Sequence, residues 1–252
     1  MIEENLKKTW EEVYFSDNCH EKDIIEKLPN MIADCEVFMD IGASGGQYTF
    51  FANKILQNKL IVAVEADPIR FKLLNESCKK WQNENNNKIL TYHNALYEKD
   101  NDVIDFLVTQ SNVSGALFMN DHINNHIQNT TLEKKEVKTL SLLTLLSPYK
   151  DKIIFAKIDV EGAELVAFKS VYEKLKDYNV TFLIEIHPWK DSNANLFPWQ
   201  IFSFFKKSGF VPSFYKDHFI VRKSKSTFRI QLVNLYYAFI FRLRFLVNLI
   251  KK

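Results

Sequence analysis

The chain has 252 residues, 46% of them hydrophobic and 25% charged, which suits one α/β domain of ordinary size with terminal elaborations. That composition excludes a disordered, collagen-like or disulfide-scaffold protein, and a formal net charge of +2 gives no reason to expect a nucleic-acid partner. The charge is uneven: residues 228–252 hold Arg229, Arg242, Arg244, Lys251 and Lys252 and no acid, so a mildly acidic body carries a basic, apolar tail.

Three cysteines, Cys19, Cys35 and Cys78, form no metal-binding spacing and read as reduced thiols of a cytoplasmic protein. The N-terminus lacks the apolar run of a signal peptide, and no stretch of 18 apolar residues suggests a conventional membrane span. Residues 1–35 are charged and expected to be helical, ending near Pro29. Strands are expected at Val37–Ile41, Leu60–Glu65 and Ile89–His93, with helices over Tyr48–Gln57 and from Pro68 to about Trp81. Val103–Thr109 and Val137–Leu142 read as strands flanking a polar, irregular stretch, longer than a usual connection. Ile153–Asp159 is a further buried strand, followed by a helix from about Ala163 to Leu175 and a strand at Thr181–His187. A helix over Pro198–Lys207 then leads to strands from Phe210 and over Phe219–Arg222. Short apolar strands alternating with helices argue for a parallel sheet covered on both faces. The closing strand–turn–strand has no room for a helix and must be antiparallel.

Three of the six glycines lie in Asp40-Ile-Gly42-Ala-Ser44-Gly45-Gly46, where the first strand meets a helix. Such a turn presents backbone N–H groups to a ligand. Glu65 follows nineteen residues after Gly46, the spacing at which an acid reaches nucleotide ribose hydroxyls. Ser44 breaks the second glycine of the dinucleotide pattern, and Asp40 would repel a pyrophosphate but suits the cationic methionine end of S-adenosylmethionine (SAM). An NAD(P)-dependent sugar-nucleotide oxidoreductase is the competing enzyme class, and a non-catalytic partner protein that keeps the fold is another.

With these residues in place, the sequence resembles the FkbM family of SAM-dependent methyltransferases. The resemblance rests on Phe38-Met-Asp-Ile-Gly-Ala-Ser-Gly-Gly-Gln-Tyr-Thr49, Val62-Ala-Val-Glu-Ala-Asp-Pro68, Asn94-Ala-Leu96, Lys157-Ile-Asp-Val-Glu-Gly-Ala-Glu164 and Leu183-Ile-Glu-Ile-His-Pro188. Ser44 stands where Asn is common in the family, and Leu143 where Asp is usual. The resemblance implies a class I methyltransferase fold, Rossmann-like, with a mostly parallel sheet and an antiparallel last strand, over residues 36–223. It also implies SAM as cofactor, with Asp40, Gly42, Ser44, Gly46, Glu65, Asn94 and Ala95 as the cofactor-binding residues. Transfer would go to a hydroxyl, often of a carbohydrate or other small polar molecule.

Ligands in such a sheet lie outside the carboxyl ends of the strands, so Asp159, Glu161 and His187 are expected to face the acceptor. A carboxylate or imidazole there can position a hydroxyl and take its proton. Each has a plainer alternative: Asp159 and Glu161 as turn or helix-start acids, His187 as a strand-end histidine. The same three residues are chemically able to hold a metal ion, but acids at this place are common and no metal site is expected.

In the tail, Leu232, Tyr236, Phe239, Leu243, Leu246 and Ile250 recur every three or four residues and form one helical stripe. Phe241 and Phe245 lie outside it. The helix, residues 228–252, reads as docked on its own domain, as a seam between two copies, or, the preferred expectation, as lying in an anionic membrane surface.

Overall fold

The computed structural model describes residue 19 and residues 21–82, 84–109, 115–116, 132–187 and 198–250. Seven strands form its main sheet: β1 (Val37–Ile41), β2 (Leu60–Glu65), β3 (Lys88–His93), β8 (Ile153–Ile158), β9 (Asn179–Glu185), β10 (Phe210–Tyr215) and β11 (His218–Lys223). Their order across the sheet is β10-β11-β9-β8-β1-β2-β3. The five strands from β3 to β9 run parallel, and β11 is antiparallel to both β9 and β10. The sequence anticipates this arrangement, down to the antiparallel closing pair.

Alternation along each strand splits the core between the two faces of the sheet. Val37, Met39 and Ile41 of β1 join one apolar cluster with Phe182 and Phe219. Phe38 joins the other, stacked on Phe155 with ring centroids 5.9 Å apart. Helices α1 (Lys22–Ile25), α2 (Leu28–Ile32), α3 (Gln47–Ile55) and α4 (Pro68–Trp81) contribute to the second cluster. Helices α5 (Leu142–Leu146), α6 (Glu164–Lys169) and α7 (Ile201–Ser208) contribute to the first. The turn residues behave as their chemistry requires: Asp67 caps α4 by accepting from the N–H groups of Ile69 and Arg70, with Pro68 in the first turn.

Three expectations are corrected. Pro29 does not end a helix but sits in the first turn of α2, where its missing N–H costs nothing; residues 1–18 lie outside the described residues. The strand expected at Val137–Leu142 is β7, Leu132–Ser141, and its charged first half hides it from a search for apolar runs. β7 pairs with β5 (Val103–Thr109) and β4 (Ala95–Tyr97), and with β6 (Gly115–Ala116) at the far edge these make a second, four-stranded sheet. The helix expected to reach Leu175 stops at Lys169. There Ser170 and Val171 donate to Ala167 and Phe168, three residues back, the bonding of a tight 3₁₀ turn.

Helix α8 (Thr227–Ile250) docks on the domain through a face that the apolar stripe leaves out. Asn234 is 1% exposed and donates to the carbonyls of Phe210 and Ile230. Tyr237 and Phe241 meet Phe202 and Phe219 with centroids 5.1–5.9 Å apart. Leu232, Tyr236, Phe239, Leu243 and Leu246 remain exposed. No helix among the described residues is long and apolar enough to cross a membrane.

Candidate active site

The turn after β1 crosses very close to the chain leaving β8. Gly42 has φ +77°, and a Cβ there would lie 1.7 Å from the carbonyl oxygen of Asp159, so both conformation and space demand glycine. The residue after β8, Asp159, is thereby locked beside the turn, its N–H donating to Ile41. A cleft of about 580 Å³, including its open mouth, lies along the carboxyl ends of these strands. Gly42, Ser44, Glu65, Arg70, Asn94, Ala95, Asp159 and Glu161 line it, with Ile41, Val64, Leu96 and Phe106 as apolar wall.

Glu65 ends β2 at 6% exposure. Its carboxylate accepts from the N–H of Ser44 at 2.6 Å and of Asp67 at 2.8 Å. These two bonds fix the acid at the cleft wall, while burial pushes its pKa up. The Ser44 hydroxyl accepts from Arg70 at 2.6 Å, which ties the glycine turn to α4.

Two expected cofactor residues do not line the cleft. Asp40 is fully buried on the α3 side of β1 and accepts from the backbone N–H and hydroxyl of Thr49 at 2.9 and 2.7 Å. It holds the start of α3, because residue 40 falls on the strand face opposite Met39 and Ile41. Gly46 faces the helices as well: a Cβ there would lie 2.8 Å from Leu74 and 3.3 Å from Trp81. Its φ of +91° and the close packing of α4 both explain the glycine. Gly42, Ser44, Glu65, Asn94 and Ala95 are brought together as expected.

Asp159, Glu161 and His187 also meet, at the end of the cleft where β8 and β9 terminate. His187 Nε2 lies 4.0 Å from Asp159, 3.5 Å from Glu161 and 3.5 Å from Glu185, while Nδ1 lies 2.9 Å from Glu164. Glu161 is placed by a left-handed turn, with φ +50° at Glu161 and +104° at Gly162. Glu164 further braces that turn by accepting from the N–H of Gly162 at 3.1 Å. Lys157, buried in β8, bridges Asp159 at 3.3 Å and the Gly42 carbonyl at 3.4 Å.

The electrostatics follow from that crowding. Burial pushes the Glu161 carboxyl up to about 7. Burial also works against a charged His187, but Glu164, Asp159 and Glu161 outweigh it and carry the imidazole up to about 10. Burial would raise Asp159 too, yet Lys157 and His187 hold it below the usual carboxylate range. Sequence reasoning placed Glu185 at the crevice but missed Arg70 as a neighbour of the site. Glu185 was legible as a strand-end acid; Arg70 had no signal, since only the fold returns α4 to the turn.

A parallel sheet in this order with an antiparallel closing pair, a glycine turn and a buried acid ending the second strand together define a SAM-dependent methyltransferase. The chain belongs to the FkbM family: the family's methyltransferase FkbM domain matches residues 40–212. Solved structures with a similar chain course include a precorrin-6y C5,15-methyltransferase from Geobacter metallireducens GS-15, with 12% identity and TM-score 0.44 over 84% of this chain and 92% of that one. A putative caffeoyl-CoA O-methyltransferase from Staphylococcus aureus has 10% identity and TM-score 0.46 over 88% and 96% of the two chains. No curated protein matches the sequence.

SAM is therefore the cofactor, and the cleft fits it on two counts. A buried carboxylate held in place by two backbone donors stands at its wall, and an apolar surface lies beside it. In bound SAM the reactive group is a methyl on a positive sulfonium sulfur.

Proposed function

We propose that the protein is an O-methyltransferase acting on a hydroxyl of a carbohydrate, glycan or similarly polar small molecule. The observation that carries this reading is the polar end of the cleft, where Asp159 and Glu161 share the lining with the turn and with Glu65. On this reading Glu65 accepts from the ribose hydroxyls, and Gly42, Ser44, Asn94 and Ala95 form the rest of the cofactor wall. Asp159 and Glu161 accept hydrogen bonds from the acceptor hydroxyl, which aims its oxygen and draws off its proton as the oxygen attacks in line. Acidic groups of this kind match hydroxyl-rich molecules, whose donors outnumber their charges. Asp159→Asn and Glu161→Gln should each lower turnover by about 100-fold or more while the Kd for SAM stays within about twofold. Loss of SAM binding with turnover preserved at saturating SAM would make them cofactor residues and remove the reading.

The outer face of α8 supports a second element of this proposal, an anionic lipid surface as the place of action. Phe228, Leu235 and Phe239 are 76%, 67% and 60% exposed, more outward apolar surface than a solvated helix requires. Arg229, Arg242 and Arg244 are exposed on the same helix, and cations beside an apolar face are what anionic headgroups attract. Vesicles rich in anionic phospholipid should co-sediment the full chain, less so in high salt, and much less with Leu232→Asp and Phe239→Asp. Equal sedimentation of wild type and variants, or a stable dimer that both substitutions dissolve without any vesicle binding, would overturn it.

A further inference from the structure

The imidazole of His187 is held in a way that the expected acid–base roles leave unexplained. Its Nδ1 is taken by Glu164 at 2.9 Å, which turns Nε2 toward Asp159, Glu161 and Glu185. A histidine anchored through one nitrogen by a carboxylate, with the other nitrogen presented to a set of oxygens, is the arrangement of a metal ligand with its orienting partner. Asp159 supplies the second observation. Its Oδ2 is engaged by Lys157, but Oδ1, the atom nearer His187, is a buried atom with no hydrogen-bond partner among the described residues. A buried carboxylate oxygen left in that state is costly unless a cation completes it.

From this geometry we infer that Asp159, Glu161 and His187 bind a divalent metal ion at the acceptor end of the cleft. One ligand atom from each of the three lies within 4.8 Å of the others. A tetrahedral ion with bonds of about 2.0–2.2 Å keeps its ligand atoms roughly 3.3–3.6 Å apart. The separation of 3.5 Å from Nε2 to Glu161 already matches, and the 4.0 Å to Asp159 needs a shift of a few tenths of an ångström. One imidazole with carboxylates suits zinc or manganese rather than calcium or magnesium, which favour all-oxygen sites. The ion would lie where two of its ligands line the cleft, so an acceptor hydroxyl could take an open position and lose its proton more readily there. The inference deepens the O-methyltransferase reading, on which its catalytic consequence rests, but ion binding itself is independent of any acceptor.

The ligands come from the ends of two strands, Asp159 and Glu161 after β8 and His187 after β9. No local ligand motif exists in the sequence for that reason. A second group, Glu21, Glu185 and His218, also clusters within 4.8 Å. There Glu21 lies 2.9 Å from His218 Nε2 and accepts from the Tyr48 hydroxyl at 2.8 Å, so it serves as a control.

The test is titration of the chelator-treated full chain with Mn²⁺ and with Zn²⁺, without SAM or acceptor, read by calorimetry and, for Mn²⁺, by electron paramagnetic resonance. One ion per chain is expected. Glu161→Gln and His187→Ala should each weaken binding about 10-fold or more, Glu164→Gln by about 10-fold as the orienting partner, and His218→Ala not at all. Glu161 sits on a partly exposed turn, so its variant should keep the fold and decide the matter if His187→Ala does not fold. No stoichiometric ion in the wild type, or binding that Glu161→Gln leaves unchanged, overturns the inference. Ion binding without methyl transfer to any hydroxyl would retain the metal site and refute the acceptor reading instead.

Discussion

Replacing Glu65 by Ala removes the acid at the cleft wall, and the structure sets the size of the effect. Its two oxygens accept from Ser44 and Asp67 at 2.6 and 2.8 Å, and ribose hydroxyls would add hydrogen bonds to the same charged group. A hydrogen bond to a charged partner contributes about 1.5–3 kcal/mol, so loss of the ribose contacts should raise the Kd for SAM by about 10- to 100-fold. The variant also leaves two backbone N–H groups without their acceptor. The cleft is open and water can reach them, so the stability cost should stay near 1–2 kcal/mol, a fall in Tm of roughly 2–8 °C. Calorimetric titration with SAM, beside thermal unfolding with and without it, separates the two effects. Glu65→Gln, which keeps one acceptor oxygen, should fall between wild type and Ala. A folded Glu65→Ala protein with unchanged SAM affinity would refute the placement of the cofactor in this cleft.

Other outcomes follow from the same structure. Gly42→Ala sets a Cβ 1.7 Å from a backbone oxygen, whereas Gly209→Ala meets nothing within 4 Å; the first should abolish soluble expression, the second cost about 1 kcal/mol from its positive φ alone. Asp100 accepts from the Ser141 N–H and the Thr144 hydroxyl at 2.6 and 2.7 Å. Burial is the largest single influence and raises its pKa, but these donors together outweigh it and the folded pKa is lowered. Its stabilisation is thus present above the unfolded carboxylate pKa and lost as pH falls through the lower folded value, so Asp100→Asn should lower Tm at pH 7 but hardly at pH 2.5. Burial pushes the thiols of Cys35 and Cys78 up to about 11 and about 12, and iodoacetamide at pH 8 should leave both unmodified until the chain unfolds. Modification at the rate of an exposed thiol would show that this side of the core opens readily.

The parts of the fold that the sequence reveals are those where one period and one burial state coincide. β1, β2, β8 and β9 are continuous apolar runs because both sheet faces are covered. β7 was half hidden because Glu133, Lys134, Lys135 and Glu136 pair with β5 in a sheet that does not require apolar residues there. The α8 stripe shows a limit of a different kind. Periodicity detects an apolar face, but not which of two faces the domain takes, and here Tyr237 and Phe241 win through aromatic contacts to Phe202 and Phe219. At the site, spacing reveals Glu65 and Asp159, since each ends a strand. It does not tell where Asp40 and Gly46 point, because strand alternation and helix packing decide that. The meeting of His187 with Glu164 and Asp159 depends on the β8–β9 register, which residue types alone do not fix.

The most direct test supplies the protein with SAM labelled in the transferable methyl, offers it free and lipid-linked glycans, and asks what bond holds the label in the product. The expected product is an alkali-stable methyl ether on a hydroxyl oxygen, formed by the wild type and reduced about 100-fold or more by Asp159→Asn. Label in an alkali-labile ester or on nitrogen, or an ether formed equally well by Asp159→Asn, would contradict it.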